Sequence, residues 1–300
     1  MRKIICNLLL SCLLLTLSQN RSLAVEEQDS LALLKIFETM DGEVWLDQWF
    51  VEDKVSGWFG VTVKDNRVVG LELPENELFG ELPEEIGNLT ALRILNLSAN
   101  RIEGELPESI KNLTSLVYIN LAENFISGEL PESVGGFSHL KELDVSFNDF
   151  TGLLPKSLGE LTELRYLELN NNHFEGSIPS NFGNDHELIV LDLSSNEIGG
   201  FIPLELGEMH KIEELYLNNN KLVGTIPDVF ATLTNLEILE LEDNFLTGML
   251  PKNFSSLSHL STVNVNNNAM NLEDLKKYDS DNTFLHFTYR RQKKTVAGRR

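Results

Sequence analysis

The sequence predicts a repeat solenoid of the α/β type, in which 24-residue coils stack on one shared apolar core. Three observations predict it. An Asn recurs at Asn76, Asn100, Asn124, Asn148, Asn172, Asn196, Asn220, Asn244 and Asn268, always 24 residues apart. A Gly follows four residues after each of the first eight, from Gly80 to Gly248, and a Pro three residues later, from Pro83 to Pro251. Ahead of each Asn stand apolar residues in the spacing of Leu92, Leu95 and Leu97. One such coil cannot bury its apolar face alone, so a fixed period of this length implies stacked neighbours and a continuous core.

Each position in the coil has a physical reason. Leu92, Leu95 and Leu97 are the inward side chains of a short strand. Asn100 stands where the chain leaves that strand, and its amide can pair backbone groups that the bend would leave buried and unpaired. Gly104 is expected to adopt a backbone angle that other residues resist. Pro107 needs no donor and fixes the chain on the return side. Ile110 and Leu113 then point inward and close the coil.

The second half of the coil reads GELP, GELP, GELP, GLLP, GSIP, GFIP, GTIP and GMLP. With L-x-x-L-x-L-x-x-N before it, this G-x-[IL]-P element resembles the plant-type leucine-rich repeats. The resemblance runs from Val68 to Asn268, with an upstream cap reaching back to about Asp29. It implies a right-handed leucine-rich repeat superhelix with a parallel β-sheet on its concave face. It also implies ligand recognition rather than catalysis, without a cofactor, as in the ectodomains of leucine-rich repeat receptor-like proteins and kinases. Where those relatives read C-x-W-x-G-V-x-C, this chain reads Trp58-Phe59-Gly60-Val61-Thr62-Val63, so its cap is cysteine-free.

In chain order, residues 1–24 read as a secretory signal. Arg2 and Lys3 start it, Ile4 to Leu17 is apolar, and Ser22-Leu23-Ala24 offers small residues for cleavage. The apolar run is short of the roughly 20 residues that a membrane-spanning helix needs. Both cysteines, Cys6 and Cys12, lie inside it, so the remainder has none and relies on its core. Residues 25–67 are the N-terminal cap. Asp29 or Ser30 is expected to cap a helix running to about Met40, with Leu31, Leu34, Ile36 and Phe37 on its apolar side and Asp41-Gly42 ending it. Trp45, Trp49 and Trp58 are expected to plug the open end of the first coil, a glycan platform being the alternative. Residues 68–268 hold eight full repeats and a partial ninth, without the inserted island through which some relatives bind small molecules. Residues 269–289 form the far cap, with a short helix near Leu272 to Tyr278. Residues 290–300 carry six Lys or Arg and no acid, and read as a disordered basic tail.

The formal charge of −22 disfavours nucleic acid, whose phosphates are drawn to Lys and Arg. It fits solubility and a basic partner. Strand alternation decides which side chains reach the concave face. The third, fifth and seventh positions of each coil point out. They bring Tyr118, Glu142, Asp144, Tyr166, Glu168, Asp192, Glu214, Tyr216 and Glu240 into one band, the candidate ligand-binding face. Asp144, Glu168 and Asp192 stack on neighbouring strands about 4.8 Å apart. Like charges so placed destabilise a sheet unless a cationic partner, a metal ion, or Lys141 and Arg165 offset them. A solvated acidic sheet with shared counterions is the plain alternative. The carboxylates offer hard oxygen ligands, but the ordered D-x-[DN]-x-[DN]-G loop of a calcium site is missing, and no metal is expected.

An enzyme is the least favoured class. The remainder has no Cys nucleophile, no P-loop, no G-x-G-x-x-G and no nucleophile elbow. His186 and His210 stand one repeat apart but lack a clustered third ligand for zinc. Four N-x-[ST] sequons, at Asn88, Asn96, Asn112 and Asn253, are candidate glycosylation sites, and Asn96 falls on the concave face. Taken together, the sequence reads as a secreted or cell-surface recognition module. It binds a protein, peptide or glycan by multivalent contact and meets membranes only by association; its oligomeric state stays open. An inhibitor of a secreted hydrolase, resembling polygalacturonase inhibitors, and a structural matrix or coat protein are the alternatives.

Overall fold

The computed structural model describes residues 25–184, 187–251, 254–271, 273, 276 and 286–288. The expected signal segment 1–24, the basic tail, His186, Asn253 and most of the far cap lie outside those residues. The chain divides into two compact units, Met1–Ile126 and Ser127–Arg300, each of which is a stack of leucine-rich coils.

The first unit opens with helix α1, Glu27–Thr39. Its buried side is Ala32, Leu33, Leu34 and Ile36, while Leu31 is exposed, which corrects the expected apolar face. Glu26 stands at the N-cap and no side chain caps the helix. Asp29 is therefore not the cap that the sequence suggested. It lies inside the helix, fully buried, and takes Arg67 in a two-pronged ion pair, Nε to Oδ2 at 3.0 Å and Nη2 to Oδ1 at 3.1 Å. The Val68 N–H donates to the same Oδ2 at 2.7 Å, so one carboxylate ties the helix to the first repeat. The helix stops at Met40, where Asp41 turns left-handed with φ of 55°.

Strands β1, Val61–Lys64, and β2, Arg67–Glu72, form an antiparallel hairpin that the periodicity did not announce. Asp65 and Asn66 join them, both at positive φ, as a two-residue turn of matching twist requires. β2 then pairs in parallel with Ile94–Asn96, and that strand with Tyr118–Asn120. Trp45, Trp49 and Trp58 are buried together against Phe37. The Trp49 and Trp58 rings stack at 4.8 Å, and Trp45 meets Trp49 edge-on at 5.0 Å. Each indole N–H donates to a backbone carbonyl, of Met40, Phe59 and Phe50 respectively for Trp45, Trp49 and Trp58. With faces and donors used internally, the cluster plugs the coil and leaves no platform for a sugar.

In the second unit the strands Glu142–Asp144, Tyr166–Glu168, Val190–Asp192, Glu214–Tyr216, Ile238–Glu240 and Thr262–Asn264 form one parallel sheet, each partner 24 residues on. His286–Thr288 adds a further parallel strand beside Thr262–Asn264. Leu143, Leu167, Leu191, Leu215 and Leu239 point inward and are buried. The return side is built of 3-10 turns, among them Lys156–Glu160, Ser180–Gly183, Leu204–Glu208 and Asp228–Thr232. Each follows its Pro directly, whose fixed φ sets the turn. Gly199–Phe201, Lys221–Gly224 and Phe245–Leu246, each just after the recurring Asn of its coil, pair as a second, smaller parallel sheet.

The recurring Asn has a larger role than pairing its own bend. Asn100 Nδ2 donates to the carbonyls of Leu97 and Ser98 in its own coil and of Leu73 in the coil before. Its Oδ1 accepts the N–H groups of Asn76 and Leu78, also in the coil before. The Asn column is thus a ladder between coils. The residue ahead of each Asn, such as Ala99 or Ser195, sits at φ near 53°. A second tie lies on the return side. The Glu84 carboxylate accepts the N–H groups of Glu108 and Ser109, which open the next coil's turn, and the Ser109 side chain, then these backbone bonds, hold its pKa below the usual carboxylate range.

Candidate functional site

All but one of the candidate residues lie on the open face of the second unit's larger parallel sheet. Eight of the nine residues belong to the second unit, and Tyr118 to the first. Strand register sets the eight in two rows. One runs Asp144, Glu168, Asp192, Tyr216, Glu240 and Asn264, with Thr288 next in register. The other runs Glu142, Tyr166, Val190, Glu214, Ile238 and Thr262. The alternation that buries the leucines leaves these side chains half-buried, and Tyr166 more exposed.

The short acidic and amide residues in the first row have a local task that the sequence reading missed. Asp144 Oδ1 accepts the Ser146 N–H at 3.0 Å and the Ser146 hydroxyl at 2.6 Å. Asp192 Oδ1 accepts the Ser194 N–H at 2.8 Å, and Asn264 Oδ1 accepts the Asn266 N–H at 3.2 Å. In the first unit Asn96 does the same with Ser98, and Asn120 with Ala122. This is the Asx turn, in which a short side chain closes on the N–H two residues ahead. The signal was present as Asp or Asn two residues before Ser, Ala or Asn. Glu168 is one carbon longer and makes no such bond. Among the described residues nothing donates to its carboxylate.

Crowding shows in the protonation of the band. Burial pushes the Glu168 carboxyl up to about 7, and the charges of Asp144, Asp192, Glu142 and Glu214 add to that push. Burial and then Asp144 raise Glu142. Burial raises Asp192, two hydrogen bonds from Ser194 pull it partly back, and Asp144 and Glu214 raise it further. Tyr216 donates to Glu214 Oε2 at 2.6 Å, and burial together with that bond raises the phenol.

The internal cations do not offset this charge. Lys141 and Arg165 were the expected compensation, yet among the described residues no ion pair joins either to Glu142, Asp144, Glu168 or Asp192. Both occupy the coil's second position, beside the strand rather than on its open face. Arg165 acts electrostatically on Glu187, which Lys211 also pairs. Among the described residues no three His, Cys, Asp or Glu side chains are grouped so as to hold a metal ion.

Of the sequons, Asn112 is exposed, Asn88 is half-buried with its Oδ1 bonded to Gln28 at 3.1 Å, and Asn96 is half-buried on the strand Ile94–Asn96 of the first unit. Among the described residues no helix is long and apolar enough to cross a membrane.

A family model described as leucine rich repeat matches residues 90–150, 162–222 and 210–270, together more than half of the chain. Among solved structures, the PEPR1–AtPEP1 complex superposes with a TM-score of 0.76 at 31% identity, over 81% of this chain and 35% of that one. The plant peptide hormone receptor RGFR1 in complex with RGF2 does so with a TM-score of 0.66 at 34% identity, over 67% of this chain and 32% of that one. A curated relative, leucine-rich repeat protein FLOR 1 of Arabidopsis thaliana, is 35% identical over 89 residues, which are 29% of this chain and 27% of that protein. The chain therefore spans about a third or less of the length of these relatives.

Proposed function

Because the chain belongs to the leucine-rich repeat family, we propose that it is a recognition module that takes a peptide or protein segment across the open face of the second unit's larger parallel sheet. One observation carries this reading. Tyr166, Glu168, Asp192, Glu214 and Tyr216 stand in strict register on a rigid sheet, with carboxylate charge that the chain's own cations leave unmatched. Tyrosine among polar groups suits a recognition surface, and unpaired charge of one sign selects a partner of the other. A solved plant peptide hormone receptor and a receptor kinase solved with its peptide hormone, both similar to this chain, support a peptide as the ligand. Secretion, with residues 1–24 as its signal, and display on the outer side of the cell belong to the same proposal. So do glycans at the four sequons, with Asn112 the most accessible of those described.

The test is capture from the extracellular fraction of the source organism at low and high salt. Wild-type chain is compared with Asp144→Asn, Glu168→Gln, Asp192→Asn combined. The expected result is a partner held by wild type, lost by the triple variant, and weakened by salt. Equal retention by both baits overturns the placement on this band.

A further inference from the structure

The middle of the acidic row holds a feature beyond its charge. Asn170 is the seventh-position residue of the Glu168 coil. The equivalent serines one coil to either side, Ser146 and Ser194, turn their side chains to the carboxylates of Asp144 and Asp192. Asn170 therefore lies on that same side, between them. It is only 8% exposed, and its Oδ1 is buried without a hydrogen-bond partner. A buried acceptor left unpaired loses its hydration with nothing to replace it, so it favours a ligand that brings a donor. Orphaned acceptors recur at Asn218 and Asn266, but of the three only Asn170 has an acid at the fifth position of its own coil and of both neighbouring coils, Glu168 between Asp144 and Asp192, where the Asn218 coil has Tyr216 and the Asn266 coil Asn264.

The inventory of this patch is one-sided. Asp144 and Asp192 each have one oxygen committed to serine, Glu168 has both oxygens without a donor, and Asn170 offers a further acceptor. A ligand that completes it must bring several donors and positive charge. A metal ion needs convergent oxygens, whereas these stand in a row across three strands, about 10 Å from end to end. An ammonium group is a compact charge that reaches one carboxylate pair. A guanidinium is planar, carries five donors in a fork, and stacks on aromatic rings. Tyr166, exposed two residues before Glu168, supplies such a ring.

We propose that Asp144, Glu168, Asp192 and Asn170 form a subsite for the guanidinium group of an arginine side chain in the bound ligand. The inference rests on the recognition reading above and names the chemistry of one ligand residue. The elevated pKa of Glu168 agrees with it, because a bound cation relieves the crowding that holds the proton on. Binding of the cation then releases that proton and tightens as pH rises through about 7.

The test uses N-acetyl-arginine amide as the probe, titrated into the purified chain and followed through the side-chain carboxyl resonance of Glu168. N-acetyl-lysine amide, N-acetyl-citrulline amide and calcium chloride are titrated in parallel. The expected result is saturable binding of the arginine probe, about tenfold tighter than the lysine probe, with no response to the neutral citrulline probe. Glu168→Gln and Asn170→Ala should each weaken it several-fold, and Glu208→Gln, a remote exposed acid, should not. An unchanged amide spectrum outside the band shows that each variant is folded. Equal response to arginine and lysine, calcium binding tighter than either, or variants that bind like wild type each overturn the guanidinium subsite. If the probe fails while capture of the extracellular partner still needs the three acids, this inference falls and the recognition reading stands. If both fail, the reading falls with it.

Discussion

Asn196 Oδ1 accepts the backbone N–H of Phe174, 22 residues earlier and one coil away, at 3.0 Å. The same side chain donates from Nδ2 to the carbonyls of Leu169, Leu193 and Ser194. Four buried backbone groups thus depend on one amide. Asn196→Ala should cost about 2–4 kcal/mol, the range for stranding buried donors and acceptors. Asn196→Asp keeps the acceptor for Phe174 but points a carboxylate at three carbonyls. It should cost more at pH 7 and recover part of that loss on acidification, when the carboxyl gains a proton to donate. Urea unfolding at pH 7 and pH 4.5 checks both. An aspartate variant as stable as wild type at pH 7 would contradict the ladder.

The ladder also shows what the sequence could and could not disclose. Strand positions, inward leucines, and the Asn, Gly and Pro columns were legible because period and alternation are geometric. Polar partners were not, because they lie about one coil away and depend on rotamers that periodicity does not fix. Asp29 read as a cap from its place near a helix start, but Arg67 lies across from it and takes its carboxylate. Lys141 and Arg165 read as neighbours of the acids, but their position in the coil sends them to the strand's flank. The band was legible as a set of residues. The division of labour within it was not, because one methylene separates an Asp that closes an Asx turn from a Glu168 that cannot.

The return side contains a second prediction. A Cβ built on Gly183 would stand 1.8 Å from the carbonyl oxygen of Glu205 in the next coil. One on Gly136 would meet nothing within 4 Å. Gly183→Ala should therefore force two coils apart and lose about 2–4 kcal/mol, whereas Gly136→Ala should change stability by less than about 1 kcal/mol. Thermal melts of the two variants decide it. Equal melting temperatures would mean that the coils separate freely at this turn.

Asp29 and Arg67 make a third. Removing the carboxylate leaves the Arg67 guanidinium without its main partner and the Val68 N–H buried and unpaired. Arg67 keeps Glu26 at 2.8 Å and is partly exposed, so the loss falls below that of a fully buried pair. Asp29→Ala should cost about 2–3 kcal/mol. Arg67→Ala strands a fully buried carboxylate and should cost at least as much. In a double-mutant cycle the two losses should be strongly non-additive. Additive losses would mean that the pair does not couple helix α1 to the first repeat.

The protonation of Glu168 gives the fourth. Its folded pKa is raised from 4.5 to about 7, so between those values the folded chain binds a proton that the unfolded chain has released. Stability from this group must then fall as pH climbs from about 4.5 to about 7, and level off above. The groups that face it, Asp144, Asp192, Glu142 and Glu214, are all acidic, so none reverses the sign. Glu168→Gln removes the effect. Since the side chain is half-buried and screened by solvent, the variant should exceed wild type by about 1 kcal/mol at pH 8. Most of that gain should vanish at pH 5, where the parent carboxyl is already neutral in the folded chain. Denaturant midpoints for both proteins at the two pH values test this. A gain that is the same at pH 5 and pH 8 would show that the substitution acts through packing, and that the carboxylate row does not hold Glu168 protonated.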